Sequence, residues 1–429
     1  MIAQDPRIPT PALATRVQAA RAIVGQTLTD TVAVTGDDGE DATIAATLFG
    51  PVPPPPSGAC SDLSLAQYTA GPSRSFTASV RGSSNKGNGD VLVSGPVVTD
   101  PGCYGWAESL TLVPSGAKAS SPPTAPNEST LVTVPAVATT ASAQFAAPGS
   151  ALTDTVVVTG LSGQAAALVA TLYGPLPADH VTGCAADTDA VWRSAIATHG
   201  GHLSVGTQTL PITGDGTYKT DPMTVSTLGC YTFFEQLTPA STPTRPVRTP
   251  YGVPGESTVV SVPAVGTAAS ANVVTAGAAI TDLVTVTGAA GLPGTVSGAL
   301  LGPVAPVHGS CAGLTWSGAH VAAVLAPVAI KGDGMYRTAP ITVHDVGCYT
   351  FVERLTLADT TAPVVSTVPG VPIETILVSR PVVTTSGSAT PLARTGAPLP
   401  ITATVAAGVG LIGSGLLLMC VPRRRRADR

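Results

Sequence analysis

Apolar and polar residues alternate with period two along most of this chain. Leu28-Thr29-Asp30-Thr31-Val32, Leu152-Thr153-Asp154-Thr155-Val156 and Ile280-Thr281-Asp282-Leu283-Val284 are short, β-branched runs of this kind, bounded by Gly, Pro or Asp. Successive side chains on a strand point to opposite faces, so the pattern predicts antiparallel strands with one face in and one face out. No stretch before residue 400 holds a long helical period, so no long helix is expected there.

The pattern itself repeats. Pro11-Ala12-Leu13-Ala14-Thr15 recurs as Pro135-Ala136-Val137-Ala138-Thr139, as Pro263-Ala264-Val265-Gly266-Thr267 and, loosely, as Pro381-Val382-Val383-Thr384-Thr385. Each unit then carries Leu48-Phe49-Gly50-Pro51, Leu172-Tyr173-Gly174-Pro175 or Leu301-Gly302-Pro303, and closes on a Cys-Tyr strand and a Thr/Val strand. Gly214-Asp215-Gly216 and Gly332-Asp333-Gly334 read as turns between alternating runs, and Pro51 to Pro56 as a stiff loop inside the first unit. Units of roughly 100–125 residues built this way fit a sandwich. The predicted fold is all-β: three tandem immunoglobulin-like antiparallel β-sandwich repeats over 11–134, 135–262 and 263–380, followed by one C-terminal transmembrane helix. Residues 1–10 read as the end of an upstream repeat, because Ile8-Pro9-Thr10-Pro11 sits where Val132-Thr133-Val134-Pro135 sits later.

The tail changes the picture. Residues 401–421 are apolar and uncharged. As a helix rising about 1.5 Å per residue they would cover roughly 31 Å, close to the ~30 Å hydrocarbon core of a bilayer. Arg423, Arg424, Arg425 and Arg426 follow after Pro422 and predict a cytoplasmic C-terminus, with the rest of the chain outside. Residues 1–8 contain no apolar run of the kind an export signal needs, so the sequence is expected to continue upstream.

Composition narrows the core and the partners. Of the 429 residues, 11% are charged and 4% aromatic, so the interior must be built from Val, Leu, Ile, Ala and Thr. Five arginines and one acid lie after residue 420, which leaves the exported part with 16 basic and 25 acidic side chains and no electrostatic footprint for nucleic acid. The seven cysteines fall as Cys60/Cys103, Cys184/Cys230, Cys311/Cys348 and Cys420, the second of each pair always preceding Tyr. Matched pairs in an exported chain predict three disulfides within the units. Metal ligation is the rival reading, but no histidine accompanies the thiols at a repeated position.

Candidate chemistry is otherwise sparse. His180, His199, His202, His308, His320 and His344 share no common position, so neither a catalytic nor a metal site common to the units is expected, and no cofactor. Asp37, Asp38, Glu40 and Asp41 could bind calcium in one turn of the first unit, or simply be a solvated tip; the other units lack these acids. Trp192 and Trp316 follow the first cysteine of their units by eight and five residues, placed to pack on the disulfide or to stack a glycan. No phosphate-binding loop, hydrolase elbow or paired-carboxylate pattern stands out.

Two resemblances complete the reading. Leu392-Ala393-Arg394-Thr395-Gly396, with its apolar stretch and basic tail, resembles the cell-wall sorting signal of Gram-positive surface proteins, Leu-Pro-x-Thr-Gly. The resemblance implies that a membrane sortase with a cysteine nucleophile cuts between Thr395 and Gly396 and joins Thr395 to peptidoglycan. Ala393 in place of Pro resembles the variant preferred by class E sortases of actinobacteria. Within the units, Leu-Thr-Asp-Thr-Val-x-Val-Thr-Gly, Ala-Thr-Leu-Tyr-Gly-Pro, Cys-Tyr-Thr-Phe-Phe-Glu-Gln-Leu and Glu-Ser-Thr-Val resemble the VaFE repeats of such proteins, stalk modules often cross-linked by a Thr–Gln ester between first and last strands. The matching threonines would be Thr31 and Thr155, with Leu283 in the third unit, and the glutamine position would hold Ser129, Ser257 and Glu374. The cross-link is therefore expected to be lost, with the disulfide in its place.

The function expected from this reading is non-enzymatic: a stalk or adhesin on the cell surface, coupled to peptidoglycan by a transient sortase partner through residues 392–429, with 381–391 as tether and an unidentified extracellular ligand. The alternatives are a single-pass membrane-anchored protein, the anchor region of a larger surface enzyme, or a pilus subunit. None of the four lysines lies in the Tyr-Pro-Lys-Asn context of a pilin.

Overall fold

The computed structural model describes residues 9–82, 89–180, 182–241, 245–359 and 362–381. The expected helix over 401–421, the sorting motif and Arg423 to Arg426 lie outside the described residues. Among the described residues, no helix is long and apolar enough to cross a membrane.

The described chain is all-β, and its sheets are predominantly antiparallel. In each of three successive units a three-stranded sheet accompanies a larger one. The small sheets are Ala12–Val17, Thr27–Thr35 and Gly89–Val97; Ala136–Ala141, Asp154–Thr159 and Gly216–Lys219; and Ala264–Ala269, Asp282–Thr287 and Gly334–Arg337. In the first unit the larger sheet runs Arg21–Ile23, Ser129–Thr133, Gly102–Val113, Asp41–Val52, Ser73–Val80. The order recurs with Phe145–Ala146, Ser257–Val260, Gly229–Pro239, Ala166–Leu176 and Ser204–Ile212, and with Val273–Thr275, Thr375–Ser379, Gly347–Leu357, Pro293–Val304 and Val321–Val324. In all three, the short early segment pairs parallel with the unit's last strand, as in Arg21 beside Leu131, Phe145 beside Val259 and Val273 beside Leu377.

The cores follow the predicted alternation. Val32 and Val34 face Ile44, Ala46, Trp106, Leu110 and Leu112 in the first unit. The repeated motifs have local causes. A Cβ on Gly174 would sit 2.5 Å from the Tyr231 ring and 2.7 Å from the Cys230 carbonyl oxygen, so the Gly-Pro step is where the Cys-Tyr strand crosses closest and where the register shifts. The tyrosine after each cysteine reaches back four residues: Tyr104, Tyr231 and Tyr349 donate to the carbonyls of Asp100, Thr227 and Asp345 at 3.0, 2.8 and 2.9 Å. The Gly-Asp-Gly carboxylates cap a turn elsewhere in their unit. Asp215 accepts from the amides of Gly160 and Leu161, and Asp333 from those of Gly288, Ala289 and Ala290.

Among the described residues, the structure adds helices that the strand pattern does not predict, the six-residue Leu65–Ala70 and a longer one. Asp189–His199 is an 11-residue helix on the loop between Cys184 and Cys230. Only Trp192 of this helix is buried, with Ala195 and Ile196 packed at the edge, so its apolar stripe is too narrow to register as a helical period. The second unit meets its neighbours through unlike contacts. Gln26 and Gln164 exchange reciprocal amide bonds of 3.0 and 2.9 Å, and Thr133 bonds to the Gly160 carbonyl and the Ser162 hydroxyl. Toward the third unit, Phe145 and Val259 share an apolar cluster with Ala289 and Ala290, and exposed His180 lies 3.4 Å from Asp333.

Candidate functional site

The predicted pairing of the cysteines is present. Cys60–Cys103, Cys184–Cys230 and Cys311–Cys348 are disulfides with Cα atoms 5.4, 5.5 and 5.5 Å apart. Trp192 packs in one cluster with Cys230, Leu176 and Leu203. Three disulfides mark a chain matured in an oxidising compartment.

The alternation that builds each core also delivers acids into it. In Thr27–Thr35 the inward row is Leu28, Asp30, Val32 and Val34, so Asp30 is carried inside by the same period as its apolar neighbours. Asp154 and Asp282 hold the same place in the other small sheets. Each Cys-Tyr strand brings a glutamate five residues after its cysteine: Glu108, Glu235 and Glu353. A third acid, Glu128, Glu256 or Glu374, immediately precedes the unit's last strand. All nine are between 0% and 3% exposed. In the first two units, oxygens from all three carboxyls lie within 4.8 Å of one another. This three-carboxyl pattern is absent from the sequence expectation, although its parts sit at fixed spacings in the quoted motifs.

Hydroxyls from neighbouring strands bond to carboxyls of the second and third clusters. Thr249 donates to Glu235 Oε2 at 2.8 Å and accepts from the Glu235 amide at 2.9 Å. Thr367 does the same for Glu353 at 3.0 and 2.8 Å. Asp154 Oδ1 accepts from the Thr140 amide at 3.1 Å. From the first strand of the third unit, Thr267 donates to Glu374. Thr15 and Thr139 stand beside Glu128 and Glu256 and lower their pKa values against the effect of burial. The first unit has Pro122 where the others have Thr249 and Thr367, and both Glu108 oxygens lie buried without a hydrogen bond.

Three ionised carboxylates cannot lie this close together when buried from solvent. Burial, followed by the neighbouring charges of Glu128 and Asp30, pushes Glu108 up to about 9. Burial raises Glu128 to about 7 and Asp30 to about 6. In the other units burial is again the main cause, and Asp154, Glu235, Glu256, Asp282, Glu353 and Glu374 all move upward. Carboxyl oxygens are also the donors a hard divalent cation takes, so a cation is the other means of neutralising a cluster. The pKa directions favour protons.

The residues singled out from the sequence for a cross-link do not meet. Thr31 and Thr155 lie one position beyond the inward aspartate, on the other face of their strands, paired with Arg16 and Thr140. Ser129 and Ser257 are one residue past the relevant position, which Glu128 and Glu256 occupy in register with Glu374. The reason is a one-residue offset, and on a strand one residue exchanges the two faces. The acids of this turn serve as backbone acceptors: Asp37 accepts from the Gly39 amide within the turn, while Asp41 and Glu40 tie it to neighbouring loops by accepting from the amides of Gly82 and Ser115.

No family model and no curated protein matches the chain. Among solved structures, trypsin-activated alpha-2-macroglobulin from Escherichia coli is similar at 13% identity, covering 88% of this chain and 24% of its own, with a TM-score of 0.20. The native form of the same protein gives 13% identity, coverages of 88% and 23%, and 0.22. A Salmonella alpha-2-macroglobulin mutant gives 12%, 87% and 24%, and 0.21. The chain spans about a quarter of the length of these proteins, and at such scores the likeness bears on no functional assignment.

Proposed function

We propose that this chain is the wall-proximal part of a Gram-positive surface protein: three immunoglobulin-like sandwiches serving as a stalk or adhesin, joined to peptidoglycan by a sortase acting at Thr395. The observation that carries this reading is the succession of disulfide-stapled β units followed by Leu392-Ala393-Arg394-Thr395-Gly396 and its basic tail. Contacts between successive units, polar at Gln26–Gln164 and apolar around Phe145, suit a spacer whose modules do not swing freely. In cells of an actinobacterial host, the protein is expected to leave the envelope with muramidase and not with detergent, and to lack the four successive arginines. Thr395→Ala should reverse both results. Detergent extraction of the unaltered protein with Arg423 to Arg426 intact would refute wall linkage in favour of a single-pass anchor.

A second reading is favoured by one contact, the Thr267 hydroxyl on the Glu374 carboxyl between the first and last strands of the third unit. A threonine and a protonated glutamic acid there can condense: Thr267 Oγ1 bonds to the Glu374 carboxyl carbon, the carbon–hydroxyl bond breaks, and that hydroxyl leaves as water with the threonine proton. Such a unit weighs one water less than its sequence, beyond the hydrogens lost to its disulfide, and Thr267→Ala restores the mass. An intact mass accounted for by the disulfides alone would dismiss the ester.

A further inference from the structure

The second unit ends in a groove that the third unit closes. Gln144, Cys184, Pro254, Ser257 and Val259 line it, and Ala290, Gly291 and Leu292 from the third unit's turn cover it, leaving about 170 Å³. Phe145, beside the groove, is only 1% exposed and clusters with Ala289 and Ala290. Gly183 permits the approach, since a Cβ there would lie 2.1 Å from the Ala290 carbonyl oxygen.

The third unit repeats this groove position for position. Asn272, Cys311, Pro372, Thr375 and Leu377 stand in the same places, and the groove measures about 610 Å³. Among the described residues, no turn covers it. Its rim is apolar: Val273, in the place of Phe145, is 64% exposed, and Ile373, in the place of Gly255, is 54% exposed.

We infer that this groove is a docking site for an uncharged, small-residue β-turn ending in leucine, presented by another β-sandwich module. The argument is continuity with the junction inside the chain, where the matching groove holds Gly288-Ala289-Ala290-Gly291-Leu292, and it does not rest on wall anchoring. A second copy of this chain fits poorly, because its turns at residues 160–164 and 288–292 are already engaged, with Thr133 and with the second unit's groove, and the remaining one is acidic. The equivalent turn of its first unit reads Gly36-Asp37-Asp38-Gly39-Glu40, and the groove lining has no charged side chain to meet those acids. Ser310 stands where Gly183 stands in the second unit, so the turn backbone sits farther out and its leucine reaches in.

The test uses the full chain and a backbone-cyclised peptide carrying residues 285–294, followed by Trp316 emission. Trp316 is 5% exposed and lies directly under Gly370 at the groove wall. A saturable change is expected, lost in Trp316→Phe. It should weaken about tenfold in Ala312→Arg, which sets a charge in the groove, and tighten in Ser310→Gly, which restores the approach seen at Gly183. No saturable change, or one indifferent to Ala312→Arg, would overturn the inference. Equal or tighter binding of a cyclised peptide carrying residues 33–42 would overturn it in favour of a second copy.

Discussion

Replacing Cys184 and Cys230 together by serine is expected to lower the unfolding free energy of the second unit by about 4 kcal/mol. The bridge spans 46 residues of sequence, including the helix Asp189–His199, and cutting it returns that loop's freedom to the unfolded chain. The native state has little in reserve: aromatic residues are 4% of the sequence, and a domain's whole stability is typically about 5–15 kcal/mol. Losing the bridge also loosens Trp192, which is packed against Cys230 and Leu203. Urea unfolding followed by tryptophan emission reads the change, and dithiothreitol should move the unaltered protein the same way. An unchanged midpoint in the double variant would show that apolar packing alone holds this unit.

Stability should fall as pH rises from about 5 to 9, the opposite of the trend expected for a protein held by ionised carboxylates. A carboxyl whose pKa is raised in the fold keeps a proton that the unfolded chain has released. Its contribution is complete below the unfolded value, 4.5 for glutamate, and is lost as pH climbs through the folded value, which is about 9 for Glu108 and Glu235 and about 8 for Glu353. Across that window each retained proton steepens the loss by about 1.4 kcal/mol per pH unit. Urea midpoints at pH 5, 7 and 9 should therefore descend. Glu235→Gln, neutral at every pH and able to keep the Thr249 contact, should flatten the descent in the second unit. A midpoint that is constant or higher at pH 9 would mean that the clusters are not held by protons, and would return attention to a bound cation.

Much of this architecture is legible in the sequence, because strands, turns and cysteine pairs leave local marks. The period-two runs fall on observed strands, and Cys103, Cys230 and Cys348 pair with the cysteine earlier in their own units. The carboxyl clusters were written just as locally, yet an acid in a strand reads as an outward residue unless the period is counted. Counting from Leu28 puts Asp30 on the face of Val32 and Val34, and the same count in the Cys-Tyr strand carries Glu108 to the side of Leu110 and Leu112. What sequence could not supply was the register between strands far apart in the chain. Thr267 and Glu374 are separated by 107 residues, and an error of one residue is enough to select Ser257 in place of Glu256. The helix Asp189–His199 escaped for a different reason: its apolar stripe, Trp192 with Ala195 and Ile196 at the edge, is only one turn long.

The parallel pairing of each unit's early segment with its last strand has a mechanical consequence. The chain enters a unit through the small sheet, at Ala12–Val17, Ala136–Ala141 or Ala264–Ala269, crosses to Arg21–Ile23, Phe145–Ala146 or Val273–Thr275, and leaves through the strand alongside that second segment. Because the two neighbours run in the same direction, tension between entry and exit drags them lengthwise past one another. The bonds between them are then loaded together in shear, and cannot be peeled open one by one as at the free end of a hairpin.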